Sequence, residues 1–148
     1  MGATDCMFRL KGNTQEARTK YFWDVVKQAQ HEYGHGGYSG TAAEFSHIVV
    51  TNRVFEMVED MQAFINDKEK NDAYFVQLKV IKDSATITKW LTQAREISNA
   101  MWRTSDSKER ARLQKEASKI HAKIRAARLR KAMASKKTEW YAVGIVSE

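Results

Sequence analysis

Glu139-Trp140-Tyr141-Ala142-Val143-Gly144-Ile145-Val146-Ser147 reads as a β-strand. Its residues are aromatic, β-branched or small, and a period of two puts Trp140, Ala142, Gly144 and Val146 on one face. A long helical stretch precedes it. A sheet begun near the N-terminus is therefore closed by this segment, and the helices between are an insertion.

Working back, residues 73–81 form the strand before the insertion, with Tyr74, Val76, Leu78 and Val80 alternating with Phe75, Gln77 and Lys79. The insertion holds two helices. Ile87, Trp90, Leu91, Ala94, Ile97 and Met101 give the apolar stripe of the first. Thr104-Ser105-Asp106-Ser107 interrupts, and Asp106 with Glu109 reads as a fresh capping box. The second helix runs to about Ser135 on Leu113, Ala117, Ile120 and Ile124.

Nearer the N-terminus, residues 5–11 alternate Cys6, Phe8 and Leu10 with Asp5, Arg9 and Lys11, a half-buried strand. Gly12-Asn13 turns the chain, and Asn13 with Glu16 predicts the start of a helix. Ala17, Tyr21, Phe22, Val25, Val26 and Ala29 carry that helix to about Tyr33. Glu44 to Val50 predicts a second strand, and Thr51 or Asn52 a cap for a helix on Val54, Met57, Val58, Met61, Phe64 and Ile65. The expected fold is α+β: a small four-stranded antiparallel or mixed sheet packed by two helices, with a basic helical hairpin inserted before the last strand. One domain is expected over 1–148, with its core in 1–82 and 138–148 and the hairpin in 84–136.

Composition narrows the class. The 148 residues are 43% apolar and 29% charged, as in globular proteins. No apolar run approaches the ~18 residues of a membrane span, so no membrane partner is expected. No basic-then-apolar leader opens the chain, Cys6 has no second cysteine to pair with, and the expected location is cytoplasmic. Met1-Gly2 lacks the Ser or Thr at position 6 that an acylation signal wants. Proline is absent, where average usage of ~5% would give about seven, so helices and strands should run uninterrupted. The net charge of +7 favours acidic partners.

Four of the seven glycines fall between Gly34 and Gly40. The stretch Gly34, His35, Gly36, Gly37, Tyr38, Ser39, Gly40 and Thr41 is a candidate ligand-binding loop. Successive amides of a Gly-rich turn form an anion-binding nest, and the Ser39 and Thr41 hydroxyls would add donors. It lacks the Gly-Lys-Ser/Thr ending of a phosphate-binding P-loop, and no strand feeds it as in a dinucleotide fold. A plain connection, with Tyr33 and Tyr38 plugging the core edge, is the competing possibility.

His31-Glu32-Tyr33-Gly34-His35 matches the H-E-x-x-H pattern of zinc peptidases. Imidazoles at i and i+4 share a helix face and clamp Zn²⁺, while the Glu polarises metal-bound water. Glu32 would then be catalytic, His31 and His35 ligands, and His47 or Glu56 the third ligand. Against zinc, only about a dozen residues precede the helix, and it runs into Gly36-Gly37. No cofactor is the main expectation, with zinc the alternative.

The opening Met1-Gly2-Ala3, the first helix, and Gly34-His35-Gly36-Gly37-Tyr38-Ser39-Gly40-Thr41 followed by Ala43-Glu44 resemble an uncharacterised family of small bacteriophage proteins. That family shares a G-H-G-G-Y-[ST]-G-T segment. The resemblance covers about 45 residues and extends to the strand around Trp140-Tyr141. It implies a phage origin and action in the host cytoplasm, and it supplies no activity.

From Arg103 to Lys137 there are thirteen Lys or Arg against three acids. On a helix, Lys108, Arg112, Lys115, Lys119, Lys123, Arg125, Arg128, Arg130 and Lys131 cover the faces left by the apolar stripe. Such a surface follows a phosphate backbone by counterion release, with little sequence information. No aromatic is interleaved in it, which argues against single-strand stacking as its main mode. The four tryptophans, Trp23, Trp90, Trp102 and Trp140, read as core, with exposure to a partner the alternative for Trp102 at the expected bend. Cys6 reads as buried filler, His121 as solvated, and Glu56, Glu59 and Asp60 as the wet face of a helix.

The favoured expectation is a phage-encoded accessory protein that binds nucleic acid, RNA or DNA, through the basic helix, with the Gly-rich loop as second site. A zinc hydrolase, a nucleotide-sequestering module, and a virion or host-factor protein with an acidic host or phage partner are the alternatives.

Overall fold

The computed structural model describes residues 2–34 and 39–148. It is an α+β fold with a four-stranded mixed sheet and four helices. The strands are β1 (Ala3–Arg9), β2 (His47–Phe55), β3 (Asp72–Lys79) and β4 (Thr138–Ser147). The helices are α1 (Gln15–Tyr33), α2 (Val58–Ile65), α3 (Ala85–Arg103) and α4 (Ser107–Ala134). The chain divides into two compact units, Met1–Val80 with Lys136–Glu148, and Ile81–Ser135.

In the sheet unit the strand order is β1-β4-β3-β2. The closing strand β4 lies between β1 and β3 and runs antiparallel to both, while β2 runs parallel to β3 at the edge. Parallel neighbours need a crossover, and α2 supplies it. Alternation along β4 sends Ala142 and Val146 to one face and Val143 and Ile145 to the other. On the first face, α1 and a 3₁₀ turn (Ala42–Glu44) cover the sheet. Phe22 of α1 is fully buried there, with ring centroids 5.8 Å from Phe8, 5.7 Å from Phe45 and 5.4 Å from Phe75. On the second face, Met61 and Ile65 of α2 pack with Phe55, Val76 and Val143. Arg53 and Lys68 lie over the Phe64 ring at 5.1 and 4.7 Å.

Several boundaries differ from the sequence expectation: β1 covers Ala3–Arg9 rather than 5–11, and β3 ends at Lys79 rather than at 81. The cap of α1 is Thr14, not Asn13: its hydroxyl accepts the Ala17 N–H at 3.1 Å. The second strand starts at His47 rather than Glu44 and continues through Thr51 to Phe55, so Val54 and Met57 are not helical. Thr51 does accept a backbone N–H two residues on, from Arg53 at 3.1 Å, and its hydroxyl donates to the Phe75 carbonyl at 2.9 Å. It does this where the β2–β3 register shifts, not at a helix start.

The hairpin unit is built from α3 and α4. Ser84 caps α3 by accepting the Ile87 N–H at 3.3 Å, and Asp106 caps α4 by accepting the Lys108 N–H at 3.0 Å. Ile87, Ala94, Leu113, Ala117, Ile124 and Ala132 are its buried positions. Arg128 grips Asp83 through two hydrogen bonds, of 3.0 and 2.8 Å, and Lys131 donates to the Lys82 carbonyl. Among the described residues no helix is long and apolar enough to cross a membrane.

Candidate functional site

The described ends of the Gly-rich loop are held to the sheet unit. Helix α1 closes at Gly34, whose φ of 80° favours glycine and whose N–H returns to the Gln30 carbonyl at 2.8 Å. Beyond residues 35–38, which lie outside the described residues, the Gly40 N–H donates to the Ser147 carbonyl at 2.8 Å. The hydroxyls expected to serve a ligand are already used. The Ala43 N–H donates to Thr41 Oγ (3.2 Å), Thr41 Oγ lies 2.8 Å from Ser39 Oγ, and Ser39 Oγ donates to Glu44 Oε1 (3.2 Å). With Ser39 donating to Glu44, the shared proton between the two hydroxyls belongs to Thr41. Glu44 itself is only 8% exposed. An anion arriving here would compete with the Glu44 carboxylate for the Ser39 proton and with Ser39 Oγ for the Thr41 proton.

The H-E-x-x-H geometry requires one continuous helix through position 35, and α1 ends at Tyr33. His31 and Glu32 are exposed in its last turn, where Glu32 accepts from Gln28 Nε2 at 3.1 Å. Tyr33 is exposed as well and does not plug the core. His35 lies outside the described residues. His47 Nδ1 sits 3.0 Å from Ser46 Oγ and 3.6 Å from Asp72 Oδ1, at the start of β2. Glu56 follows β2, with one carboxylate oxygen buried and without a hydrogen-bond partner among the described residues. No three His, Cys, Asp or Glu side chains among the described residues cluster as a metal site.

The basic arm keeps its charge on the surface. The hairpin unit, residues 81–135, holds fourteen Lys or Arg against five acids. Along α4, Lys108, Arg112, Lys115, Lys119, Lys123 and Arg130 follow one another at steps of four, three, four, four and seven, so they share one side. That side lies away from Leu113, Ala117 and Ile124. At 1.5 Å per residue it is a line of charge about 33 Å long. Lys108, Lys115, Lys119, Lys123, Arg125 and Arg130 are all exposed, and none joins an ion pair among the described residues. Arg125 stands off the line, on another exposed side.

Three of the nine expected contacts are committed elsewhere. Arg112 bonds Glu109 and, at 2.9 Å, Glu116; the hydrogen bond from Arg112 holds the Glu109 carboxyl below its ordinary range. Arg128 and Lys131 are half-buried and turn toward Asp83 and the Lys82 carbonyl. The Asp83 carboxyl is lowered, first by its hydrogen bond with Arg128.

At the bend between α3 and α4 Trp102 is 86% exposed, whereas Trp23 and Trp140 pack partly buried against the first core. Beside Trp102 is a cleft of about 270 Å³ lined by Ser98, Met101, Trp102 and Arg110. Arg110, which the basic stripe read off the sequence does not include, points back to the connection and donates to the Thr104 carbonyl at 2.8 Å. Cys6 is half-buried in β1, and burial pushes its thiol up to about 11. Compared with known protein families, curated proteins and solved structures, the chain matches none of them.

Proposed function

We propose that the chain binds nucleic acid, RNA or DNA, through the exposed basic side of α4. One observation carries this: an unbroken 28-residue helix presents Lys108, Lys115, Lys119, Lys123 and Arg130 in one line about 33 Å long. Charges spaced regularly on a rigid rod track phosphates without reading bases, and release condensed counterions as they do so. The Gly34–Thr41 loop is given no share of the affinity, because the Thr41 hydroxyl is spent on Ser39 and the Ser39 hydroxyl on Glu44. A phage origin and a host cytoplasm remain expectations from the resemblance, and binding of this kind needs neither.

The test is a salt titration of duplex binding by fluorescence anisotropy. Five or six phosphate contacts predict a slope of about −5 in log K against log salt. Changing Lys115, Lys119 and Lys123 to Gln should flatten it by roughly 3, since each lost phosphate contact removes about one. An affinity indifferent to salt, or to these three changes, would sink the proposal. The exposure of all three lysines means the variant should keep its helix content, which circular dichroism checks.

A further inference from the structure

The basic line on α4 ends beside an aromatic group that the fold has no use for. Trp102 closes the last turn of α3, six residues before Lys108 opens the basic line, and the residue is 86% exposed. The indole borders the 270 Å³ cleft with Ser98, Met101 and Arg110, and the Arg110 guanidinium is fixed there by the Thr104 carbonyl. Arg103, the next residue, is exposed too. The two acids near the bend are occupied: Asp106 caps α4, and Glu109 is held by Arg112. The bend thus offers a flat π-face with guanidinium groups nearby, in a unit of strongly positive charge.

We infer that the hairpin bend is a stacking site for one unpaired nucleobase, with Trp102 as the platform and Arg103 and Arg110 meeting the adjoining phosphates. It rests on the proposal that α4 binds nucleic acid, and adds to it a preference: a backbone lying along α4 is held best where it carries an unpaired base at the bend. An indole stacks on any base, so the preference is for the unpaired state and not for sequence. A protein partner of the basic arm has no such requirement, and its charge complement would be carboxylates.

The experiment compares a blunt 20-base-pair duplex with the same duplex carrying a three-nucleotide single-stranded overhang, as DNA and as RNA, using the full chain and its W102A and W102F variants. The expected result is that the overhang tightens binding by wild-type protein about tenfold. W102A should lose that gain while binding the blunt duplex as before, and W102F should keep part of it. Overhang binding should also quench an emission component that W102F lacks. If wild type binds both duplexes with steep salt dependence but W102A keeps the overhang gain, the stacking site is wrong and the α4 proposal stands. If wild type binds neither duplex, both fall.

Discussion

Asn71 holds the backbone and side chain of Ser147 together: its Oδ1 accepts the Ser147 N–H at 3.1 Å, and its Nδ2 donates to Ser147 Oγ at 3.3 Å. Asn71 sits between α2 and β3 with φ of 70°, the left-handed region that Asn tolerates better than most residues. Its own N–H donates to the Ile145 carbonyl and its carbonyl accepts the Ser46 N–H. One residue therefore ties the end of β4 to the entry of β3 and to the chain before β2. Because Ser147 also receives the Gly40 N–H, the exit of the Gly-rich loop depends on the same anchor.

Removing the Asn71 side chain should cost both its hydrogen bonds and its tolerance of positive φ. We expect N71A to lose about 2–3 kcal/mol in urea unfolding, the sum of backbone strain and lost side-chain bonds. N71G, which relieves the strain alone, should lose less. Equal losses in the two variants would show that φ plays no part.

Gly144 predicts a second sensitive point, for a different reason. Its φ is unremarkable, but a Cβ there would lie 2.3 Å from the Asp72 carbonyl oxygen and 2.8 Å from Phe45 Cε1. A backbone oxygen within the sheet has nowhere to move cheaply. G144A should destabilise by about 3 kcal/mol, at the upper end for overpacking. G34A makes the control: among the described residues nothing lies within 4 Å of the added Cβ, and its φ of 80° is what resists, so about 1 kcal/mol is expected. Thermal melts that rank the two the other way would overturn the steric account.

The first and closing strands were legible in the sequence because one or both of their faces obey a period of two. Phe8 and Leu10, and Trp140 with Ala142, point where alternation sends them. The second strand was misplaced because a threonine that accepts a nearby N–H looks the same from sequence at a β-irregularity and at a helix start, and Thr51 is the former. In the basic arm, helical spacing located the exposed line but hid the inward turn of Arg128 and Lys131. Their partners, Asp83 and Lys82, lie 45 and 49 residues earlier, and no local pattern links them. Trp102 was ambiguous for a similar reason: an aromatic at a helix end is usually core, and only the packing of α3 against α4 leaves this one outside.

The Asp83–Arg128 pair should make the hairpin acid-sensitive. Hydrogen bonding to Arg128 lowers the native Asp83 carboxyl below its ordinary 3.8, so the folded state binds that proton less readily than the unfolded chain. The stabilisation is complete above pH 4 and fades as pH falls through the lowered native value. Both side chains are about one third exposed, which keeps the contribution to about 1 kcal/mol. D83N should be less stable than wild type at pH 7, and the gap should narrow as pH falls below 4. A gap in melting temperature that stays constant as pH falls from 7 into the acid range where Asp83 protonates would mean the aspartate acts by something other than its charge.

Cys6 should be silent until the sheet opens. It faces the first core from β1, opposite Gly144 of β4, and burial lifts its thiol from 9.0 to about 11. At pH 8 only about one molecule in a thousand would then carry the reactive thiolate. Alkylation in native buffer should run at least tenfold slower than in 8 M urea, where an ordinary thiol is restored. The same shift has a sign in stability: the unfolded thiol ionises first, so stability declines as pH rises from 9 toward 11. Wild type should lose stability over that interval relative to a C6A variant, which has no thiol to titrate. Native labelling as fast as in urea would place Cys6 at the surface and remove the reason for both effects.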